Sequence, residues 1–131
     1  MKTIFENFGL NLEDFTIEDF GSGNINKTFL LNQKNNSEAY ILQKLNTSVF
    51  KKPAAIASNN DLANNYLKQR FPEYYFINNI KTTKGLPYYI EENQYWRLAP
   101  YVKNSYSVNN VIITKHAYQA AKAFGQLSKL L

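Results

Sequence analysis

Gly21-Ser22-Gly23-Asn24-Ile25-Asn26 is the one short segment of the chain whose residue types and spacing suit a defined chemistry. Glycines lack a Cβ, so backbone N–H groups in such a turn can approach a phosphate and cradle its charge. Two other phosphate motifs are excluded by the surroundings. A Walker loop needs G-x-x-x-x-G-K-[ST] ahead of a helix. A dinucleotide fingerprint needs G-x-G-x-x-G between a strand and a helix. Here a strand candidate stands on each side. The same Gly-Ser-Gly also makes an ordinary hairpin turn, so the motif alone leaves both readings open. With no Cys, the chain has no disulfides, no Cys-based zinc site and no thiol nucleophile. Its one His, His116, does not support a His-rich metal site or a Ser-His triad and reads as a surface or helix-packing residue.

The elements that must hold this segment follow from pattern. Residues 3–8 suit a short helix stopped by Gly9. Residues 15–20 alternate apolar and polar, residues 27–32 resume as strand, and residues 38–45 follow after the turn cluster Lys34-Asn35-Asn36-Ser37. Three strands joined by short connections predict an antiparallel meander. Pro53 opens a helix that Phe71-Pro72 ends. On it Ile56, Ala63, Leu67 and, in part, Tyr66 share a face, with Asn60 in the middle of that face. Tyr74-Tyr75-Phe76-Ile77 is aromatic and β-prone, and Tyr88-Tyr89-Ile90 and Tyr95-Trp96-Arg97-Leu98 flank a turn to make a hairpin. Thr114 can cap a last helix, whose Ala117, Ala120, Ala121, Phe124, Leu127 and Leu131 form one apolar stripe. That stripe runs to the final residue without a stop signal, so the chain is expected to be cut there or to pack on something further, the alternative being a C-terminal helix docked on its own domain. Self-association through this helix is the corresponding expectation.

Composition sets the class. The chain has 131 residues, of which 44% are hydrophobic, enough for one domain with a core and too few for two ordinary domains. No signal-peptide pattern opens it, and no stretch approaches the ~20 apolar residues of a membrane span. A cytoplasmic location with no membrane partner is therefore expected. The net charge is +5, which invites a nucleic-acid reading. The cations are scattered, however, with no run longer than Lys51-Lys52, and only two of the fifteen are Arg. That pattern favours a solvated basic surface over a nucleic-acid interface.

A glycine loop over a β-hairpin is the arrangement by which kinases cover nucleotide phosphates. The order strand, glycine loop, strand, strand, helix, strands, connector, helix is that of a kinase N-terminal lobe followed by the first helix of the next lobe. At this point the residues become specific. Phe20-Gly21-Ser22-Gly23-Asn24-Ile25-Asn26-Lys27-Thr28-Phe29 resembles the loop of aminoglycoside phosphotransferases and choline-kinase-like enzymes. Tyr40-Ile41-Leu42-Gln43-Lys44-Leu45-Asn46-Thr47-Ser48-Val49-Phe50, Tyr95-Trp96-Arg97-Leu98, the Ser105-Tyr106-Ser107 neighbourhood and the run from Ala117 to Gln126 are similar to one branch, the N-acetylhexosamine 1-kinase-like phosphotransferases. The resemblance spans residue 8 to the end. It implies an α+β fold: an antiparallel sheet of about five strands with one packed helix over 1–102, and the connector and first helix of a truncated C-terminal lobe over 103–131. It also implies ATP and Mg²⁺ as cofactors and a sugar hydroxyl as phosphoryl acceptor.

Carried over, Gly21, Ser22, Gly23, Asn24 and Asn26 cover the ATP phosphates. Backbone groups at Pro100, Tyr101 and Val102 meet adenine, and Ile17, Phe29 and Ile41 either wall the base or simply pack the strands. Two departures stand out. Kinases place a Lys or Arg on the third strand to hold phosphate. Here that position is Gln43, with Lys44 beside it on the opposite face, and either residue is a candidate for the contact. The acid expected on the following helix is also missing, since Asp61 is the only acid between Pro53 and Arg70. A pseudokinase or binding module is therefore a second reading, and a basic nucleic-acid domain whose Tyr-rich strands stack bases a third. No catalytic His-x-Asp with its downstream Asn, and no later metal-binding Asp, is present. The chain alone is thus expected to be catalytically inactive, with no catalytic or metal residue of its own.

Overall fold

In a computed structural model describing residues 1–131, the β-prone stretches assemble into one five-stranded antiparallel sheet. Its strands are β1 (Phe15–Asp19), β2 (Lys27–Gln33), β3 (Ala39–Leu45), β4 (Tyr89–Glu91) and β5 (Gln94–Pro100), in the order β1-β2-β3-β5-β4. The expected meander and hairpin are both present, and the β3–β5 pairing joins them. The hairpin turns on Glu92 and Asn93, at φ 49° and 61°. Two consecutive left-handed residues are what a two-residue turn needs to match the twist of its strands.

Register decides which side chains share a face. Leu31, Leu42, Trp96 and Leu98 fall on one side, with Phe15 beside them, and all are buried. Helix α1 (Lys2–Asn7) covers that side with Ile4 and Phe5, and Phe8 follows at its end. These eight residues form the core. Phe5 meets Phe15 edge-on at 5.8 Å, a geometry that suits the quadrupoles of the two rings. The opposite side carries Thr28, Ile41, Gln43 and Arg97, and is left free to form a cleft.

Helix α2 (Pro53–Arg70) contributes nothing to that core. It buries Pro53, Ala57, Asn64 and Leu67, with Asn60 half-buried between them, while Ile56 and Tyr66 are exposed. The inward face is thus turned by about a residue from the expected one and is more polar. Its partner is the segment that follows it: Asp61 accepts a hydrogen bond from Asn78 Nδ2 at 3.1 Å and pairs with Lys81 at 3.1 Å. Residues 74–77 form no strand. β4 pairs with β5 only over Gln94 to Trp96, and beyond it Ile80 alone bridges β5, its N–H donating to Leu98 carbonyl at 2.8 Å. Aromatic β-propensity without a cross-strand partner does not make a strand.

Helix α3 (Thr114–Leu130) follows an irregular connector and has no buried residue. Thr114 is its first helical residue, and Ile113, which offers no side-chain acceptor, is the cap. The apolar stripe of α3 is exposed, with Phe124 at 74%. No helix is long and apolar enough to cross a membrane.

Candidate functional site

The glycine segment connects β1 to β2 and arches over the free side of the sheet. Gly21 has φ +80°, a conformation that an L side chain adopts only at a cost, whereas the backbone at Gly23 is not in that region. Phe20 N–H donates to Thr28 carbonyl at 2.9 Å, which starts the arch from the end of the ladder. Asn26 Oδ1 accepts from Asn46 N–H at 2.9 Å and fastens the far end to the close of β3. The connector completes the enclosure: Ser22 Oγ donates to Asn109 Oδ1 at 2.7 Å.

Beneath the arch is an open cleft of about 780 Å³. Phe20, Gly21, Ser22 and Gly23 roof it, Thr28, Ile41 and Gln43 floor it, and Ser107, Val108 and Asn109 stand at its side. The floor is polar in one line. Gln43 Nε2 donates to Thr28 Oγ1 at 2.9 Å. Arg97 Nε and Nη2 both donate to Gln43 Oε1, at 2.9 and 2.7 Å. A guanidinium has only donors, so it fixes the amide with its oxygen toward Arg97 and its NH₂ toward Thr28. No carboxylate pairs with Arg97; the ion pair in the molecule is Lys81–Asp61. Burial pushes the Arg97 guanidinium below its ordinary value, because removing water disfavours its charged form.

The expected site residues divide on this geometry. Gly21, Ser22, Gly23 and Gln43 come together at the cleft. Asn24 is exposed, and Asn26 spends its carbonyl on Asn46. Lys44 lies on the core side, its Nζ 6.0 Å from the Trp96 ring centroid. Lys27, directly opposite it, lies 5.1 Å from the centroid of Phe29, whose ring stacks on Trp96 at 6.4 Å. The ring faces offset the like-charge pairing of these two lysines. Lys44 therefore lines a separate cavity, with Lys27 and Ile25, and not the cleft under Gly21 to Gly23. Ile17 and Phe29 share the core side, and only Ile41 of the three candidate base walls faces the cleft.

Pro100, Tyr101 and Val102 do not line the cleft. Tyr101 borders it through Phe20, ring edge to ring face at 5.8 Å. Its N–H is committed to Ala39 carbonyl at 3.0 Å, and Val102 carbonyl accepts from Ser105 Oγ. His116 packs on Tyr106, with Nε2 3.4 Å from the phenol oxygen, far from the glycine loop in the chain and outside its cleft.

Arg97, which does not line the cleft but holds Gln43 from behind it in the hydrogen-bond line, is the residue that sequence reading misses. Its importance depends on the Gln43–Arg97 register, which pairs strands far apart in the chain. The available signal was a cation set between Trp96 and Leu98, both of which are buried. No three His, Asp or Glu side chains converge as a group that could hold a metal ion. No family model matches the chain.

Proposed function

We propose that the chain is the nucleotide-covering, kinase-like N-terminal lobe of an ATP-dependent small-molecule phosphotransferase, with a sugar of the N-acetylhexosamine type as acceptor. One observation carries this reading: a glycine turn between two antiparallel strands roofs a cleft floored by Thr28 and Gln43, and Gln43 is bonded in turn to Arg97, which does not itself line the cleft. Backbone N–H groups of Gly21 to Gly23 approach the phosphates from above, where the missing Cβ atoms leave room. Phe20 and Ile41 offer apolar surface to the base. No residue of this chain is proposed as a Mg²⁺ ligand.

A second reading, a binding module that holds nucleotide without transferring phosphate, is favoured by α2. On α2, the helix that follows the third strand and on which a kinase carries an acid, the inward residues include the neutral amides Asn60 and Asn64. Isothermal titration of the chain with ATP tests what the two readings share. Saturable binding that adenosine competes away is expected, and no binding overturns both. Phosphate transfer to any hexosamine by a longer form of the protein sinks the binding-module reading.

A further inference from the structure

We propose that Arg97, reaching across from β5, is the cation that receives phosphate at this cleft, with Gln43 as its positioning residue. This rests on the nucleotide reading above and deepens it, by moving the site's charge from the third strand to its neighbour. Three observations support it. Arg97 is half-buried and has no carboxylate within ion-pair distance. A partly desolvated cation without a counter-charge is costly unless an anion joins it. Its pKa is depressed by that same burial, and an arriving phosphate would reverse the depression. Second, its orientation is locked. Nε and Nη2 share the one oxygen of Gln43, and Gln43 is held in turn by Thr28. The remaining guanidinium N–H groups have no protein acceptor, and an Arg fork presents such groups in the planar geometry that phosphate oxygens match. Third, Thr28 and Gln43 both line the cleft; Arg97 does not line it, but its guanidinium is one hydrogen bond from the floor through Gln43.

The rival cations are placed elsewhere. Lys44 and Lys27 sit over Trp96 and Phe29 on the core side of the sheet, and no other cation lies on the cleft-facing side of β2, β3 or β5. Gln43 is suited to positioning because it is uncharged: it fixes Arg97 through hydrogen bonds and leaves its charge uncompensated.

The test titrates the 131-residue chain with ATP, adenosine and inorganic tripolyphosphate, comparing wild type with Arg97→Met and Lys44→Met. Loss of a charge-assisted fork in Arg97→Met is expected to weaken ATP and tripolyphosphate about tenfold or more and to leave adenosine within about twofold. Lys44→Met is expected to match wild type. Wild-type binding of ATP that Arg97→Met leaves intact, or that Lys44→Met abolishes, overturns the inference while the nucleotide reading stands. Tripolyphosphate binding without adenosine binding supports Arg97 and removes the adenine assignment. Absence of any binding ends both. A second measurement needs no variant: the chain has two Arg residues, so ¹⁵N spectra of the side-chain Nε–H groups contain two signals. Tripolyphosphate is expected to move the Arg97 signal and leave that of exposed Arg70 in place. Equal shifts, or none at saturating tripolyphosphate, refute the assignment.

Discussion

Replacing Gln43 by Leu removes the acceptor that holds Arg97 and should destabilise the fold by an amount the contacts allow us to estimate. Gln43 Oε1 takes two bonds from the guanidinium, and Nε2 gives one to Thr28. Hydrogen bonds to a charged group contribute about 1.5–3 kcal/mol each, and a neutral one about 1. Full loss of all three would exceed about 4 kcal/mol by that scale. Water reaches half-buried groups and replaces part of what is lost, so a net cost of about 2.5 kcal/mol is expected. Trp96 is the only tryptophan and is 8% exposed, so its fluorescence reports unfolding of the core. With a urea slope of roughly 2 kcal/mol/M, the midpoint should fall by about 1 M. The double variant Gln43→Leu with Arg97→Met removes both partners and should recover most of the loss, since apolar replacement of a matched pair is nearly neutral. A coupling energy of about 2 kcal/mol between the two positions is therefore expected from the cycle. A coupling below about 0.5 kcal/mol would refute the reasoning, because contacting residues in one network should exceed that.

Gly21→Ala should cost about 1–2 kcal/mol from its left-handed backbone, since no atom crowds an added Cβ. Gly23→Ala, equally uncrowded and without a positive φ, should stay within about 0.5 kcal/mol in the same urea unfolding assay. Tyr40 donates to Glu38 Oε2 at 2.8 Å, and that bond, with burial and the nearby negative charge, raises its pKa above the ordinary value. The folded chain then holds this proton to higher pH than the unfolded chain does. The associated stability is complete below the ordinary tyrosine range and disappears as pH rises through the folded value; Glu38→Ala should lower the Tyr40 midpoint in a tyrosine-resolved NMR titration. The exposed α3 stripe should drive concentration-dependent association in sedimentation velocity, and Phe124→Ser should weaken it; one sedimentation coefficient at all concentrations would count against this.

The strands around the glycine turn were legible because alternation and turn chemistry agree there. Residues 27–32 and 38–45 carry branched and aromatic side chains, and Lys34 to Ser37 supply the break between them. The two helices bounded by Pro53 and by Thr114 were legible for similar reasons. Propensity was a poor guide where a partner was needed: Tyr74 to Ile77 have the side chains of a strand but pair with none. The inward face of α2 was misplaced because its apolar residues are too sparse to fix a phase, and Asn64 and Asn60 turn inward with them. Gln43 was found because its position along β3 could be counted from the loop. Arg97 escaped because nothing local in the sequence reveals which residue of β5 lies across from Gln43.

That cross-strand placement has a physical logic on the proposed reading. Adjacent strands run about 4.8 Å apart, a gap that an arginine side chain can span with its guanidinium still rigidly presented. A cation one strand removed can therefore serve the same cleft as one rising from its floor, provided that something on the floor aims it. Gln43 does so with one oxygen and takes its own orientation from Thr28. The arrangement also requires neutrality nearby. An acid at position 43 or opposite it would pair with Arg97 and cancel the charge meant for a ligand. Neither Thr28 nor Gln43 is charged, and no carboxylate lies within ion-pair distance of Arg97. The missing helix acid and the missing strand lysine are then two sides of one arrangement: with no lysine on β3 to hold in place, the helix has no cation for an acid to pair with.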